Sequence, residues 1–256
     1  MESEIGKLQV LRVAEEGISE VEDVVVREFS FTIVLNGQEL VTLLCSHGDL
    51  RYLVVGFLLS QGFIENKKDI KKLEVDDDEG IAQVEIDKKE NISFRPVIAS
   101  SGARSAAAMS ARKVTAGSRV KLTPSNIFTL VDSFVQCSKL FKNTGGVHSA
   151  ALCNYEGIQV FSEDIGRHNA IDKIFGECLL GDIQIENNFI LTSGRVSSEI
   201  VLKVAKRNIP VLISKSAPTD KGVELAADLN MTLVGFVRGK RMNIYTNSWR
   251  IIRDGK

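Results

Sequence analysis

Asn188-Phe-Ile-Leu-Thr-Ser-Gly-Arg195 is a short apolar run that ends in a small polar turn, and Val196-Ser-Ser-Glu199 then opens a helical pattern. Free backbone N–H groups and the helix dipole point out of such a turn, which suits a phosphate, and Arg195 adds a fork-shaped cation. Plain capping of the helix is the bland alternative. The same form recurs downstream. Residues 211–214 read as a strand, Ser214-Lys-Ser-Ala-Pro-Thr-Asp-Lys-Gly222 as a polar turn, residues 222–229 as a helix and 232–237 as a strand. Strands alternating with helices of this length predict a mostly parallel sheet covered on both faces. Two polar turns at adjacent strand ends mark the crevice in which open α/β sheets hold ligands.

Working outward, residues 147–153 and 158–163 form a predicted hairpin over Asn154-Tyr-Glu-Gly157. Residues 167–179 make a helix with Ile171, Ile174, Phe175, Cys178 and Leu179 inward, and residues 197–207 make another. Thr123-Pro124 starts a further helix, with Ile127, Leu130, Val131, Phe134 and Phe141 on one face. Ahead of it, residues 99–112 are built of small side chains and read as a linker or flexible loop. Nearer the N-terminus, residues 24–35, Asn36-Gly37 and residues 39–44 carry a strong hairpin signal, a ribbon expected to open the fold. Ser46-x-x-Asp49 resembles a capping box, and Leu50, Leu53, Val54, Phe57 and Leu58 keep helical spacing until Gly62. Strands at 71–75, 81–86 and 92–98 follow. The expectation is an N-terminal α+β domain at 1–115 and a larger α/β domain at 116–256.

The 256 residues, 44% hydrophobic and 25% charged, can build a core, and Gly plus Pro (20 and 4) are too few for a low-complexity chain. A net charge of −1, from 32 Lys+Arg against 33 Asp+Glu, lacks the global basic field of a nucleic-acid binder. The longest uncharged apolar stretch, residues 52–64, is too short to span a bilayer, and the first residues carry no apolar leader. A cytoplasmic protein without membrane or nucleic-acid partners is expected. Cys45, Cys137, Cys153 and Cys178 are widely spaced with no Cys-x-x-Cys pair, so neither a disulfide scaffold nor a zinc knuckle is readable. Cys153 and Cys178 fall on apolar faces and read as core thiols.

Glu163-Asp-Ile-Gly-Arg-His-Asn-Ala170 gathers two carboxylates, an arginine and one of only three histidines at a strand-to-helix junction. The bland reading has Asp164 capping the helix and pairing with Arg167 on the surface. His148, in an apolar run, reads as a hydrogen-bonded core histidine, and His47 as solvent-facing. Phe236-Val-Arg-Gly-Lys-Arg241 places three cations and a glycine after the last buried strand. Such a turn either holds a polyphosphate or is simply solvated.

Together these segments resemble the FdhD family, formate dehydrogenase accessory proteins described as sulfurtransferases. The resemblance rests on Asn36-Gly37, Gly56-Phe57-Leu58-Leu59-Ser60-Gln61-Gly62, Gly145-Gly146-Val147-His148-Ser149-Ala150, Gly166-Arg167-His168-Asn169-Ala170, Thr192-Ser193-Gly194-Arg195 and Leu233-Val234-Gly235-Phe236. It implies a cytidine-deaminase-like three-layer C-terminal domain, a homodimer, and transfer of sulfur from a cysteine desulfurase to the molybdenum bis(guanine dinucleotide) cofactor of a formate dehydrogenase. The family's cofactor-binding stretch maps onto Phe236, Val237, Arg238, Gly239, Lys240 and Arg241. The turns Ser193-Gly194-Arg195 and Gly166-Arg167-His168 would close that site.

One departure bears on the chemistry. The family carries a persulfide-forming cysteine, often a Cys-x-x-Cys pair, in the small-residue loop, and these positions fall on Ala103 and Ala106 here. A methyl group cannot hold a persulfide, so no catalytic residue is assigned. A cofactor-binding chaperone without sulfurtransferase activity is the alternative to a sulfur carrier. A zinc deaminase is not readable: His168-Asn169-Ala170 lacks the catalytic glutamate, and residues 194–198 lack the two cysteine ligands. Nor is there a nucleophile-and-base constellation for a nucleotide hydrolase.

Overall fold

Asn36 and Gly37 both adopt left-handed backbone, with φ of 49° and 78°, as a two-residue hairpin turn between right-twisted strands requires. They join β3 (Phe29–Leu35) to β4 (Gln38–Cys45). The structure, a computed structural model, describes residues 2–87 and 120–253. The expected strand at 92–98, the small-residue segment at 99–112 and the Ala103 position lie outside the described residues.

A ribbon that the sequence reading missed precedes this hairpin: β1 (Ile5–Ala14) and β2 (Gly17–Val26) pair antiparallel along their whole length. Residues 24–26 therefore belong to β2 and not to β3. The miss has a physical cause. The ribbon projects with Leu8, Leu11, Val13 and Ile18 all more than half exposed, so it has no buried face to impose alternation. At its base, Arg27 N donates to Glu4 O (2.8 Å).

β5 (Ile70–Asp76) and β6 (Ile81–Ile86) complete a four-stranded sheet of order β4-β3-β6-β5. Against it lies α1 (Leu50–Gln61), which ends at Gly62 with φ 85°, as expected. Its start is different. Asp49 makes no side-chain cap, and Ser46 is instead turned toward the larger half of the molecule, its hydroxyl accepting from Ile165 N (3.1 Å).

The larger half is built on six strands in the order β12-β11-β10-β9-β7-β8. These are β7 (His148–Asn154), β8 (Gly157–Asp164), β9 (Phe189–Thr192), β10 (Val211–Ser214), β11 (Thr232–Arg238) and β12 (Arg241–Thr246). Only β9/β10 and β10/β11 pair parallel; the other pairings are antiparallel, so the sheet is mixed and not mostly parallel. Tight turns at both ends, β7–β8 and β11–β12, force antiparallel neighbours that the two central crossovers do not. Both faces are covered. α4 (Arg167–Leu180), α5 (Ser198–Ala205) and α6 (Asp220–Asp228) pack on one, and α2 (Pro124–Cys137) on the other. Phe141 does not continue the α2 face. That helix stops at Cys137, and Phe141 lies on the short α3 (Lys139–Thr144), 48% exposed.

The two halves are joined where α1 crosses α4. A Cβ on Gly56 would lie 1.7 Å from Asp172 O, and one on Gly176 1.9 Å from Tyr52 O, so the helices touch backbone to backbone. One apolar core accordingly runs from Phe31, Ile33 and Val84 through Leu53 and Phe57 into Ile171, Ile174 and Phe175. No described helix is long and apolar enough to cross a membrane.

Candidate functional site

β8 is antiparallel to β7, and β7 to β9, so β8 ends on the same edge as the parallel β9, β10 and β11. Four strand spacings separate β8 from β11 along that edge, about 19 Å at 4.7–4.9 Å each. The turns after β9 and β10 are stitched to each other and to the end of β11. Ser214 Oγ donates to Gly194 O (2.7 Å), Val196 N to Ala217 O (3.0 Å), Thr219 N to Val196 O (2.9 Å) and Phe236 N to Ser216 O (3.0 Å).

At the β8 end, the N-termini of α4 and α5 converge. Gly194 is required by close approach, since a Cβ there would lie 2.8 Å from Arg167 Cβ. His168 Nε2 lies 3.5 Å from Glu199 Oε2, tying the first turns of the two helices together. Neither N-cap, Gly166 nor Ser197, makes a side-chain capping bond, so the first N–H groups of both helices keep their donors. Arg167 Nε and Ser197 Oγ are buried without a hydrogen-bond partner in the protein. Burial, followed by Lys203, Arg167 and His148, pushes His168 down to about 3. Its imidazole is therefore neutral, and the contact with Glu199 is not an ion pair.

At the β11 end, Phe236 holds a left-handed φ of 53° at a break in the β11/β12 register, the kind of strained bulge that re-aims side chains beside a site. The Arg238 guanidinium stands 5.8 Å over its ring. Gly239, with φ 55°, turns the chain, and Arg238, Gly239, Lys240 and Arg241 are exposed. Val237 is not: its side chain is fully buried in the core under α2, leaving only its backbone to the edge. Lys215, a cation not singled out from the sequence, is held below its ordinary range by burial and by the neighbouring Arg238.

The dense segment before α4 divides its labour. Glu163 accepts from Leu140 N (2.9 Å) and Phe141 N (3.0 Å), capping α3. Asp164, fully buried, accepts from Gly166 N (2.8 Å), Asn169 Nδ2 (2.8 Å) and Ser46 N (3.1 Å) and pairs with buried Lys173 (2.7 Å). These contacts fill the carboxylate's acceptor positions. The expected surface pair of Asp164 with Arg167 is therefore absent; Arg167 is released toward Gly194 instead. His47 is half-buried, its ring edge-on to Phe29 at 4.5 Å and its Nε2 3.1 Å from Asp77 O.

Of the four thiols, Cys45, Cys153 and Cys178 are buried, and burial pushes each up to about 12, which keeps them protonated. Cys137, at the C-terminal end of α2, is exposed. A groove of about 570 Å³ on the small sheet, lined by Glu74, Asp76, Asp77 and Glu79, has the wrong charge for a phosphate. Among the described residues no three His, Cys, Asp or Glu side chains converge as a metal site.

The sequence profile of the FdhD/NarQ family matches residues 26–252. Two curated proteins named sulfur carrier protein FdhD are similar to this chain. The one from Bacillus subtilis (strain 168) is 40% identical over 250 residues, spanning 94% of this chain and 95% of its own. The one from Bacillus pumilus (strain SAFR-032) is 42% identical over 237 residues, 90% of each chain. A solved structure from Desulfotalea psychrophila, described as a formate dehydrogenase accessory protein, superposes with a TM-score of 0.82 at 28% identity and covers 97% of this chain and 99% of that one.

Proposed function

Because the chain belongs to the FdhD/NarQ family, we propose that it is an accessory factor for formate dehydrogenase that holds the molybdenum bis(guanine dinucleotide) cofactor along the strand-end edge. One observation carries this reading: the edge joins a basic turn at residues 238–241 to two uncapped helix N-termini, that of α5 after β9 two strand spacings along the sheet and that of α4 after β8 four spacings, about 10 and about 19 Å. An extended dinucleotide with phosphates along its length matches such a rim better than a single phosphate does. The residues fit the load. Arg238, Lys240 and Arg241 offer cations at one end, while Arg167, Arg195 and the orphaned Ser197 hydroxyl offer donors at the other. The reading includes a C-terminal half (116–256) arranged as in the cytidine deaminases but without their metal ligands, an N-terminal α+β domain at 1–115, and a cytoplasmic location. Pairing of two copies is part of it too, supported by the exposed apolar residues of the β1–β2 ribbon.

The sulfur step divides the proposal. As a sulfur carrier, the chain would accept sulfur from a cysteine desulfurase; as a chaperone, it would hold the cofactor only. Burial of three of the four thiols, together with alanine at position 103, favours the chaperone. Incubation with a desulfurase and labelled cysteine tests this. No label on the native chain, with labelling of Ala103→Cys, supports the chaperone; label on native Cys137 that passes to the cofactor restores the carrier. Guanosine diphosphate binding tests the edge itself, and loss of affinity in Arg241→Ala and Arg195→Ala is the expected result.

A further inference from the structure

His148 opens β7 beside the carboxyl end of β9, at the centre of the edge. Its Nδ1 lies 3.5 Å from Ser193 Oγ, and that oxygen already accepts from Ser149 N–H at 2.9 Å. The serine hydroxyl keeps its proton and one further lone pair for Nδ1; when it donates, the proton of the neutral ring is on Nε2. Charged groups face the ring from three elements, Arg167 on α4, Arg195 in the turn after β9 and Asp164 at the end of β8, and the neutral His168 of α4 stands beside them. Burial, Arg167 and Arg195 all hold His148 below its ordinary range, and Asp164 opposes them.

We propose that His148 is a further ligand-binding residue of this edge, and that it takes up a proton from solvent when a phosphate group seats against Arg167 and Arg195. The inference rests on the reading of the edge as a phosphate site. A phosphate between the two guanidinium groups offsets the repulsion that keeps the ring neutral, and its oxygens accept from Nε2–H. Once Nδ1 is protonated it becomes a donor, so the Ser193 hydroxyl must turn round. Ser193 Oγ then accepts from both Ser149 N–H and Nδ1–H, and its own proton is freed for the ligand. One proton passes from solvent to the ring, forming the Nδ1–H bond, and no bond of the ligand is made or broken.

The chain has only three histidines, which makes the test direct. Guanosine diphosphate is titrated by calorimetry near neutral pH, in two buffers of different ionisation enthalpy, against the native protein and His148→Gln. Native protein should take up protons beyond those bound by the nucleotide itself, and its affinity should rise by up to about tenfold for each unit of falling pH. His148→Gln should lose that uptake while still binding. Carbon–proton correlation spectra give a second readout on the native protein: the signal that is missing from the spectrum of His148→Gln assigns the ring, and in the native protein it should move to the imidazolium position on saturation. Equal proton uptake by native protein and variant, or an unmoved His148 signal at saturation, overturns the inference while leaving the site intact. No binding by the native protein at any pH overturns both.

Discussion

Lys173 Nζ lies 2.7 Å from Asp164 Oδ2, with both side chains sealed from solvent. The pair stands where Ser46, at the end of the small sheet, meets the start of α4, and Lys173 also reaches Glu163 O (3.2 Å). Removing one member strands the other charge in the interior. Asp164→Ala should cost about 3–5 kcal/mol of stability in denaturant unfolding. The double variant Asp164→Leu with Lys173→Met should recover only part of that loss, because the donors of Ser46, Gly166 and Asn169 stay unpaired. If Asp164→Ala costs no more than a surface substitution, the pair is not what anchors α4.

The α1/α4 crossing predicts a second stability effect. Gly56→Ala must push the helices apart, because the nearest atom is the Asp172 carbonyl oxygen and not the end of a flexible side chain. A loss of about 2 kcal/mol or more is expected on overpacking grounds, read as a lowered unfolding midpoint. Gly145→Ala, with open space around its Cβ, strains only its backbone at φ 66° and should cost less.

On ligand binding, Arg167→Ala and Arg195→Ala should each weaken guanosine diphosphate by about tenfold to a hundredfold, in line with about 1.5–3 kcal/mol for a hydrogen bond to a charged group. Val237→Ala acts differently. Its side chain packs under α2, so about 2 kcal/mol of folding stability should be lost.

Acid sensitivity follows from His168. Its folded value, about 3, lies below the unfolded one near 6.5, so between those limits the unfolded chain binds a proton that the native state does not. Stability therefore falls as pH drops from about 6.5 toward 3, by at most about 1.4 kcal/mol per unit from this group. His168→Asn should flatten the pH dependence of the unfolding free energy between pH 6.5 and 5. An unchanged slope would assign the acid loss to other groups.

For assembly, sedimentation should show a species of twice the chain mass at micromolar concentration. Placing lysine at Leu11 and Val13, both exposed on the ribbon, should shift it to the monomer without changing the circular dichroism spectrum.

Much of this protein was legible in its sequence. The Asn36-Gly37 turn, the helix closed by Gly62, the helix from Arg167 and the two crossovers after Phe189 each follow from local spacing and turn chemistry, and each stands in the structure. Those signals are local, so they survive without knowledge of the neighbours. Sequence also supplied the turns Ser193-Gly194-Arg195 and Phe236–Arg241 as cation-bearing strand ends, and the alanine at 103. Tertiary structure alone decided the rest. His148 and Ser193 are 45 positions apart and meet only because β7 pairs with β9. Asp164 is sealed beneath Ser46, some 118 residues earlier, whose N–H joins the nearby donors of Gly166, Asn169 and Lys173 on its carboxylate, and it is therefore turned away from Arg167. The exposed ribbon left no periodic trace, because a strand with neither face buried has no reason to alternate. Local sequence sets turns and helix spans through backbone preference, whereas the partners of a buried charge are chosen by which distant elements exclude water around it.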